Sequence, residues 1–328
     1  MMLEESGFKT SPQKKFKNIC PIQKLYLPLQ RKIVFLMSKY INPFLDWSFK
    51  YLFGRDSVKD ILIGFLNALF AGKHVIVDVT FNNNEHQPED QRGRAIIYDI
   101  FCTTDKGERI IVEMQNRQQN YFKDRALFYM SRAVAEQGKS GGWDYKLNAV
   151  YGIFFLNFKL EDVIGKDPDC SLTKVALVDT ESGAIFNPKF QQYYIELPRF
   201  NKTKQECETD YDKWIFTLKN MDTMETMPFT EERNAIFARL EETAACANLT
   251  KEERELYEEQ WRNYNDYYNT IDFAREEGHA KGREEGREEG REEGREEGRK
   301  EEREKIAAEM AAKDAEIQRL SELLASKG

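Results

Sequence analysis

Apolar residues near the start of the chain recur at helical spacing between recognisable helix ends. Asn42 precedes Pro43, the segment 44–53 is rich in apolar residues, and Gly54 follows it. This order predicts a helix with Asn42 as its N-cap, Pro43 at its first position and Gly54 as its stop. A second helix is predicted over 56–71. Its apolar face contains Ile61, Leu62, Phe65, Leu66 and Leu69.

The pattern then shortens to the alternation that is typical of β-strands. Strands are predicted at 75–81, 96–103 and 109–115, followed by a helix at 119–136 and a strand at 148–158. The last of these is so apolar that it suits a central strand covered on both faces of a sheet. The elements predicted after it are two strands, at 174–179 and 193–197, and three helices, at 208–220, 230–247 and 251–275.

After residue 275 the sequence becomes repetitive. A glycine occurs every fourth residue from Gly278 to Gly298, mostly in the unit Gly-Arg-Glu-Glu. Each glycine destabilises a helix by about 1 kcal/mol relative to alanine, and an i,i+3 Glu–Arg pair returns only about 0.2–0.5 kcal/mol, so we predict a marginal, solvated helix. Beyond it lies a short heptad seam, interrupted by Lys313. The seam contains Ile306, Met310, Ile317, Leu320 and Leu324. The seam is either the contact of a homodimer that forms through this C-terminal helix or one face of a bare surface helix.

Composition divides the chain into five segments. Residues 1–36 are rich in lysine and lack a periodic pattern, and we interpret them as a disordered or non-native extension ahead of a true start at Met37. The other segments are a folded α/β domain at 37–200, a helical region at 201–275, the glycine repeat at 276–303 and a short amphipathic helix at 304–328. The net charge is −8, and the acidic excess lies after residue 200. A nucleic acid would therefore have to meet a locally basic surface.

Several protein classes are excluded by the composition. No apolar segment approaches the roughly 18–20 residues of a transmembrane helix, and the N-terminus lacks the ordered regions of a signal peptide. The five cysteines are scattered without a CxxC pair, which argues against a disulfide framework and against a structural zinc site. We therefore expect reduced cysteines, no membrane partner and a cytoplasmic location.

Candidate chemistry is concentrated in the hairpin formed by the second and third predicted strands. Glu113 and Gln115 lie on one face of the later strand and Met114 on the other, because side chains alternate along a strand. In the expected register of the hairpin, Asp99 faces Glu113 and Gln115. Two carboxylates that converge at the end of an apolar sheet repel each other, and a divalent cation usually offsets that repulsion. The hairpin is therefore a candidate metal site formed by Asp99 and Glu113.

Four segments of the sequence also carry a family resemblance. They are Asn-Pro-Phe-Leu-Asp-Trp-Ser-Phe-Lys-Tyr-Leu-Phe-Gly at 42–54, Tyr98-Asp99, Val-Glu-Met-Gln at 112–115 and Tyr-Phe-Lys-Asp-Arg-Ala-Leu-Phe-Tyr at 121–129. Over residues 38 to about 275 the chain resembles the Rpn-type recombination-promoting nucleases, also called PD-(D/E)XK nuclease family transposases. The resemblance implies an α/β, restriction-endonuclease-like core in αβββαβ order, with a mixed central sheet flanked by helices, a helical C-terminal region and a long charged helical tail.

The resemblance further implies a metal-dependent DNA endonuclease that acts in DNA recombination or mobile-element transposition. Asp99 and Glu113 would bind Mg²⁺, with Mn²⁺ as an alternative ion. Gln115 stands where the commonest form of the motif has lysine, and a neutral amide can only hydrogen-bond the attacking water, so water activation would rest mainly on the metal. Asp46 matches the leading acid of the family, which completes the metal shell or orients Gln115. An i,i+4 pair with Lys50 is the alternative for Asp46.

Contacts to DNA phosphates are expected from the helix predicted at 119–136. One stripe of this helix contains Arg125, Tyr129 and Arg132, and it could hold backbone phosphates near the metal site. The alternative is an ordinary solvated face with a half-packed tyrosine. Weaker candidates for phosphate contacts are Arg117, Arg92 and Arg94. The core face of the same helix is predicted to contain Leu127, Met130 and Val134.

Two other functions remain open from the sequence. The neutral residue at the lysine position and the acidic C-terminal half favour a catalytically inactive nuclease-fold module that binds partners. No residue distinguishes DNA from RNA, so a nuclease that acts on RNA is the second alternative.

Overall fold

The structure is a computed structural model that describes residues 38–72, 74–86, 96–138, 141–161, 167, 169–231 and 235–325. The predicted N-terminal extension at 1–36 lies outside the described residues, as do Met37, Arg92 and Arg94. The chain forms two compact units, one ending at Tyr264 and one beginning at Asn265. Within the described ranges, no helix is both long enough and apolar enough to cross a membrane.

The first unit is a mixed α/β fold of helices and two β-sheets. The helices are α1 (Asp46–Phe53), α2 (Lys59–Phe70), α3 (Phe122–Ala135), α4 (Asp210–Asn220), α5 (Ile236–Ala244) and α6 (Lys251–Ala325), the last of which extends into the second unit. The strands are β1 (Val79–Phe81), β2 (Glu85–His86), β3 (Ile96–Ile97), β4 (Ile100–Thr104), β5 (Arg109–Gln115), β6 (Val150–Leu156), β7 (Leu172–Val178) and β8 (Ile185–Glu196).

Six of these strands form one sheet in the order β1-β4-β5-β6-β8-β7, and β2 pairs with β3 separately. The neighbours β5, β6 and β8 run parallel, whereas β1, β4 and β7 pair antiparallel with their neighbours. The central strand β6 is buried along its whole length. This six-stranded mixed sheet flanked by helices confirms the predicted fold class.

The two faces of the sheet are covered by separate hydrophobic clusters. On one face, α1, α2 and α4 meet β6 through Phe49, Phe65, Trp214 and Phe155, with ring centroids 5.1–5.9 Å apart. On the other face, α3 packs against β6 and β8. A Cβ atom at Gly152 of β6 would lie only 2.5 Å from the sulfur of Met130 in α3. The glycine therefore allows α3 to approach the sheet closely.

The predicted start of the first helix is wrong. The helix α1 begins at Asp46, and Asn42 instead accepts a hydrogen bond from the Phe44 N–H at 2.8 Å in a turn ahead of it. The Nδ2 group of Asn42 also donates to Oδ2 of Asp222 at 2.9 Å. Because this distant partner fixes the side chain, Asn42 is oriented by tertiary structure and not by the helix it precedes in sequence.

Two further details differ from the prediction. Residues 75–78 do not extend β1, because both main-chain polar groups of Ile76 are bonded to the side chain of Asn67. In α3, Leu127 is 50% exposed and does not belong to the core face. The buried face of α3 consists of Phe122, Ala126, Met130 and Ala133. Leu127 lies outside this face, and Val134 is half-buried at its edge.

A buried ion pair fixes the end of β8. The carboxylate of Glu196 is fully buried and accepts hydrogen bonds from the Leu160 N–H at 2.8 Å and from Nε of Arg199 at 2.7 Å. Glu196 lies in the same cross-strand row as Leu156 and Gln115. The ion pair therefore stabilises the loop that follows β6 at the sheet end where β5 also finishes.

The second unit is formed by the continuation of the long helix α6. Its helical residues include the glycine repeat, which is solvent-exposed as predicted. The exposed apolar residues beyond the repeat are Ile306, Met310, Ile317 and Leu320. The side chain of Leu324, the last residue of the predicted seam, lies outside the described residues.

Candidate functional site

The hairpin of β4 and β5 brings Asp99 next to Glu113. In this hairpin Ile100 is paired with Val112, and Asp99 directly precedes β4. The turn is closed by Gly107, whose φ of +78° lies in the left-handed region that glycine adopts without strain. The alternation of side chains along β5 then places Glu113 on the face covered by α3, with Met114 in the opposite cluster.

Two hydrogen bonds from the main chain hold this acid pair. The Asp99 N–H donates to Oε1 of Glu113 at 3.2 Å, and the Met114 N–H donates to Oδ2 of Asp99 at 2.8 Å. Among the residues that the structure describes, no donor hydrogen-bonds Oδ1 of Asp99 or Oε2 of Glu113. Each acid therefore uses one oxygen to hold the chain and has a second oxygen available for a ligand.

Burial makes both acids difficult to ionise. Glu113 is only 4% exposed. Burial, reinforced by the nearby carboxylate of Asp99, raises the pKa of Glu113 from 4.5 to about 8. Burial also raises the pKa of Asp99, against the opposing effects of the Met114 N–H and the Lys50 ammonium. In the absence of a cation, Glu113 is therefore mostly protonated at neutral pH.

This donor set fits a hard divalent cation. Mg²⁺ and Mn²⁺ prefer carboxylate oxygen ligands, and a doubly charged ion would offset the repulsion that raises the pKa of Glu113. Within the described ranges, no three His, Cys, Asp or Glu side chains are grouped closely enough to hold a metal ion. Asp99 and Glu113 would thus act as a two-carboxylate site, with the remaining ligand positions taken by water and substrate oxygens, as is common for Mg²⁺.

Asp46 lies near this pair but is bound to Lys50. Its Oδ1 atom is 2.8 Å from Nζ of Lys50, which is the i,i+4 pair that the sequence left as the alternative. The same Nζ atom lies 3.9 Å from Oδ1 of Asp99. A lysine from α1 therefore stands beside the acid pair of the hairpin.

The end of β5 is joined to the segment that leads into α1. Gln115 is the last residue of β5 and is partly exposed, and the next residue, Asn116, donates through Nδ2 to the Phe44 carbonyl oxygen. Gln115 shares its strand face with Glu113 because the two are separated by one residue. The amide of Gln115 is therefore on the same side of the sheet as the acid pair.

The predicted phosphate-binding residues are not equivalent in the structure. The positive charge of Arg125 opposes the rise in pKa that burial causes in both acids of the pair. Its guanidinium lies 5.7 Å from the ring centroid of Tyr129. Arg132 instead donates through Nε to Oε1 of Glu136 at 3.0 Å. Arg117 is exposed just after β5. Arg125 is thus the member of the stripe with the clearest relation to the acids, and Tyr129 lies beside it.

Lys50 is the site residue that the sequence did not identify. The sequence indicates it only as an i,i+4 partner of Asp46, because nothing local shows that α1 meets the hairpin. The neutral Gln115 could have indicated such a residue. When the lysine of the commonest motif is absent from the strand, a positive charge can come from another element of the fold.

Comparison with known proteins identifies the family of this chain. A family model described as PD-(D/E)XK nuclease family transposase matches residues 43–274, which is more than half of the chain and includes α1, the hairpin and α3. Curated proteins and solved structures gave no match. The matching family is the one that the segments at 42–54, 98–99, 112–115 and 121–129 resemble. The chain belongs to the PD-(D/E)XK nuclease family transposases.

Proposed function

We propose that this protein is a metal-dependent endonuclease that hydrolyses DNA in the service of recombination or transposition and acts in the cytoplasm. The family supports a nuclease or transposase-like role, and nucleases of this family generally use divalent metals. The observation that carries the proposal is the buried pair of Asp99 and Glu113, fixed by the main chain and each with a second oxygen available. The free state of the four described cysteines fits a reducing compartment.

The acid pair would hold Mg²⁺, or Mn²⁺ in its place. When bound, such an ion lowers the pKa of a coordinated water and neutralises charge on a phosphate. Gln115 would orient the attacking water by hydrogen bonding, and Arg125 with Tyr129 would hold phosphates of the DNA backbone, with Arg132 and Arg117 farther along the strand.

The reaction is an in-line displacement at phosphorus. The oxygen of water forms a bond to phosphorus while the bond from phosphorus to the 3′ oxygen breaks, so the products carry a 5′-phosphate and a 3′-hydroxyl. The proton lost by the water goes to solvent, and the departing 3′ oxygen takes up a proton. The residues of the chain position these groups and do not become covalently attached to the DNA.

Cleavage of plasmid DNA tests the proposal. Supercoiled plasmid should be nicked in the presence of Mg²⁺ or Mn²⁺ and left intact in EDTA. Asp99→Asn preserves the shape of the side chain and an oxygen acceptor for the Met114 N–H, but it removes a charged metal ligand, so we expect the rate to fall by at least about 100-fold, or about 3 kcal/mol of barrier. Nicking measured on agarose gels gives the rate.

The control for this experiment is Glu181→Gln, which neutralises an exposed acid in the turn between β7 and β8. It should cleave like the unchanged protein. Cleavage that persists in EDTA would contradict the proposal. DNA binding that is never followed by cutting would favour the inactive binding module, and faster cutting of RNA than of DNA would favour the ribonuclease alternative.

A homodimer through the C-terminal helix forms part of the proposal, because cutting both strands of a duplex needs two sites. The exposed residues Ile306, Met310, Ile317 and Leu320 follow heptad spacing, which supports pairing with the same stripe of a second copy. We expect Ile317→Glu to shift the full-length protein from dimer to monomer, as measured by light scattering during gel filtration. The matched control is Ala312→Glu, an exposed residue outside the stripe. Equal masses for both variants would contradict this contact.

A further inference from the structure

The position of Lys50 has no explanation in the packing of α1. Phe49 and Phe53 provide the buried face of this helix, whereas the side chain of Lys50 is 39% exposed and extends toward the hairpin. Its Nζ atom lies 2.8 Å from Asp46 and 3.9 Å from Asp99. The ammonium group is therefore held by one acid at a short distance from another.

The longer of these two distances is informative. A lysine that served mainly to neutralise Asp99 would contact it at about 2.7–2.9 Å. At 3.9 Å the ammonium is close enough to act electrostatically on Asp99 without occupying its Oδ1 atom. An ammonium group also has three donors, and Asp46 accounts for one of them. Among the residues that the structure describes, no second acceptor hydrogen-bonds this ammonium group, so donors are available for an anionic oxygen placed beside the acid pair.

The neutral side chain at the end of β5 leaves a role for such a cation. Gln115 can hydrogen-bond but cannot offset the charge that develops on a phosphate during hydrolysis. The hydrogen bond from Asn116 to the Phe44 carbonyl oxygen joins this strand end to the segment before α1, so the end of β5 lies close to the start of that helix. The positive charge of Lys50 on α1 therefore lies beside the acid pair, whereas β5 carries the neutral Gln115 at the position of the motif's lysine.

We propose that Lys50 is a catalytic residue whose ammonium group binds a non-bridging oxygen of the scissile phosphate, in place of a lysine at position 115. Asp46 is then a positioning residue, since it orients Lys50 by the 2.8 Å contact. This inference rests on the proposed nuclease function. It assigns to the site a cation that comes from a helix and not from the hairpin.

The substitution Lys50→Met should change cleavage and metal affinity in opposite directions. Cleavage with Mg²⁺ should fall by at least about tenfold, because the phosphate loses a charged contact. Binding of Mn²⁺ alone to the DNA-free protein at pH 9, where ionisation of the acid pair is favoured, should become about three- to tenfold tighter because a competing positive charge is removed. Titration calorimetry or the electron paramagnetic resonance signal of Mn²⁺ measures this affinity.

A purely structural role for Lys50 predicts a different result, because a disturbed site would weaken cleavage and Mn²⁺ binding together. That result, or unchanged cleavage, would overturn the inference. The matched control is Lys59→Met. Lys59 is the first residue of α2, and its ammonium group pairs with Asp78 at 2.5 Å. This variant should leave both quantities unchanged.

Relocation of the charge provides the decisive comparison. Adding Gln115→Lys to Lys50→Met returns a lysine to the strand position and should recover at least about tenfold of the lost rate, whereas Gln115→Met in the same background should recover none. Failure of the lysine to recover activity would overturn the inference while leaving the proposed function intact. If the unchanged protein cuts no nucleic acid with any divalent metal, the proposed function fails, and this inference fails with it.

Discussion

Glu113→Gln is expected to stabilise the metal-free protein at neutral and alkaline pH and to abolish cleavage. The pKa of Glu113 is raised from 4.5 to about 8 in the folded chain, so its ionisation is less favourable when folded than when unfolded. The folded state therefore loses stability as the pH rises from about 4.5 to about 8. Glutamine keeps an oxygen acceptor for the Asp99 N–H but has no charge, and we expect a gain on the order of 1–3 kcal/mol at pH 8.

The measurement compares unfolding in EDTA at pH 5, 7 and 9. The unchanged protein should lose stability across this range, whereas Glu113→Gln should lose markedly less, because only Asp99 of the pair still ionises. Added Mg²⁺ should restore the stability of the unchanged protein at pH 8, because the ion binds the folded acid pair, and it should have little effect on the variant. Cleavage by the variant should fall by about 1,000-fold or more, or about 4 kcal/mol of barrier.

The exposed substitution Glu181→Gln serves again as the control and should leave both profiles unchanged. A variant that loses cleavage and stability together at pH 8 would show that Glu113 supports the fold and not a metal site. Parallel pH profiles for the variant and the unchanged protein would show that Glu113 ionises normally.

Among the substitutions proposed in these predictions, Glu196→Ala should cause the largest loss in the free energy of unfolding. The substitution removes the buried carboxylate that binds Arg199 and the Leu160 N–H, so a partly buried guanidinium and a main-chain donor lose their acceptor. Removal of one partner from a buried ion pair destabilises a protein by about 3–5 kcal/mol. For a folded unit of this size we expect the melting temperature to fall by roughly 10 °C.

The control for this prediction is Glu208→Ala, an exposed acid ahead of α4, which should shift the melting temperature by no more than about 2 °C. Differential scanning calorimetry gives both values. A loss below about 1 kcal/mol for Glu196→Ala would mean that solvent replaces the carboxylate at this end of the sheet.

Local patterns in the sequence were sufficient to predict the hairpin. The alternation from Arg109 to Gln115 gives the observed bounds of β5, and the pairing of two adjacent strands follows from the short turn at Gly107. Because the contact between Asp99 and Glu113 depends only on that register, sequence reasoning could place the two acids together. The wide apolar face of α2 was predicted correctly for the same reason, since helical spacing is a local property.

Contacts between distant segments could not be predicted in this way. Lys50 meets Asp99 only because α1 packs on the sheet, and Asn42 leaves its helix because Asp222 binds it from far along the chain. The side chain of Asn67 similarly prevents Ile76 from joining β1. In each case the deciding contact is made by a polar side chain from another part of the fold. A local sequence pattern does not reveal that contact.

The hydrogen bonds between Asp99, Glu113 and Met114 also restrict how the proposed activity could be lost in related chains. Two main-chain N–H groups at the end of the hairpin have carboxylate oxygens as their acceptors, so a mutation to alanine at either acid would leave a donor unsatisfied. Asparagine or glutamine would silence the chemistry and still satisfy the backbone. Inactive descendants should therefore be recognisable by amides at these two positions, and the presence of an oxygen-bearing side chain there is not by itself a sign of a working enzyme.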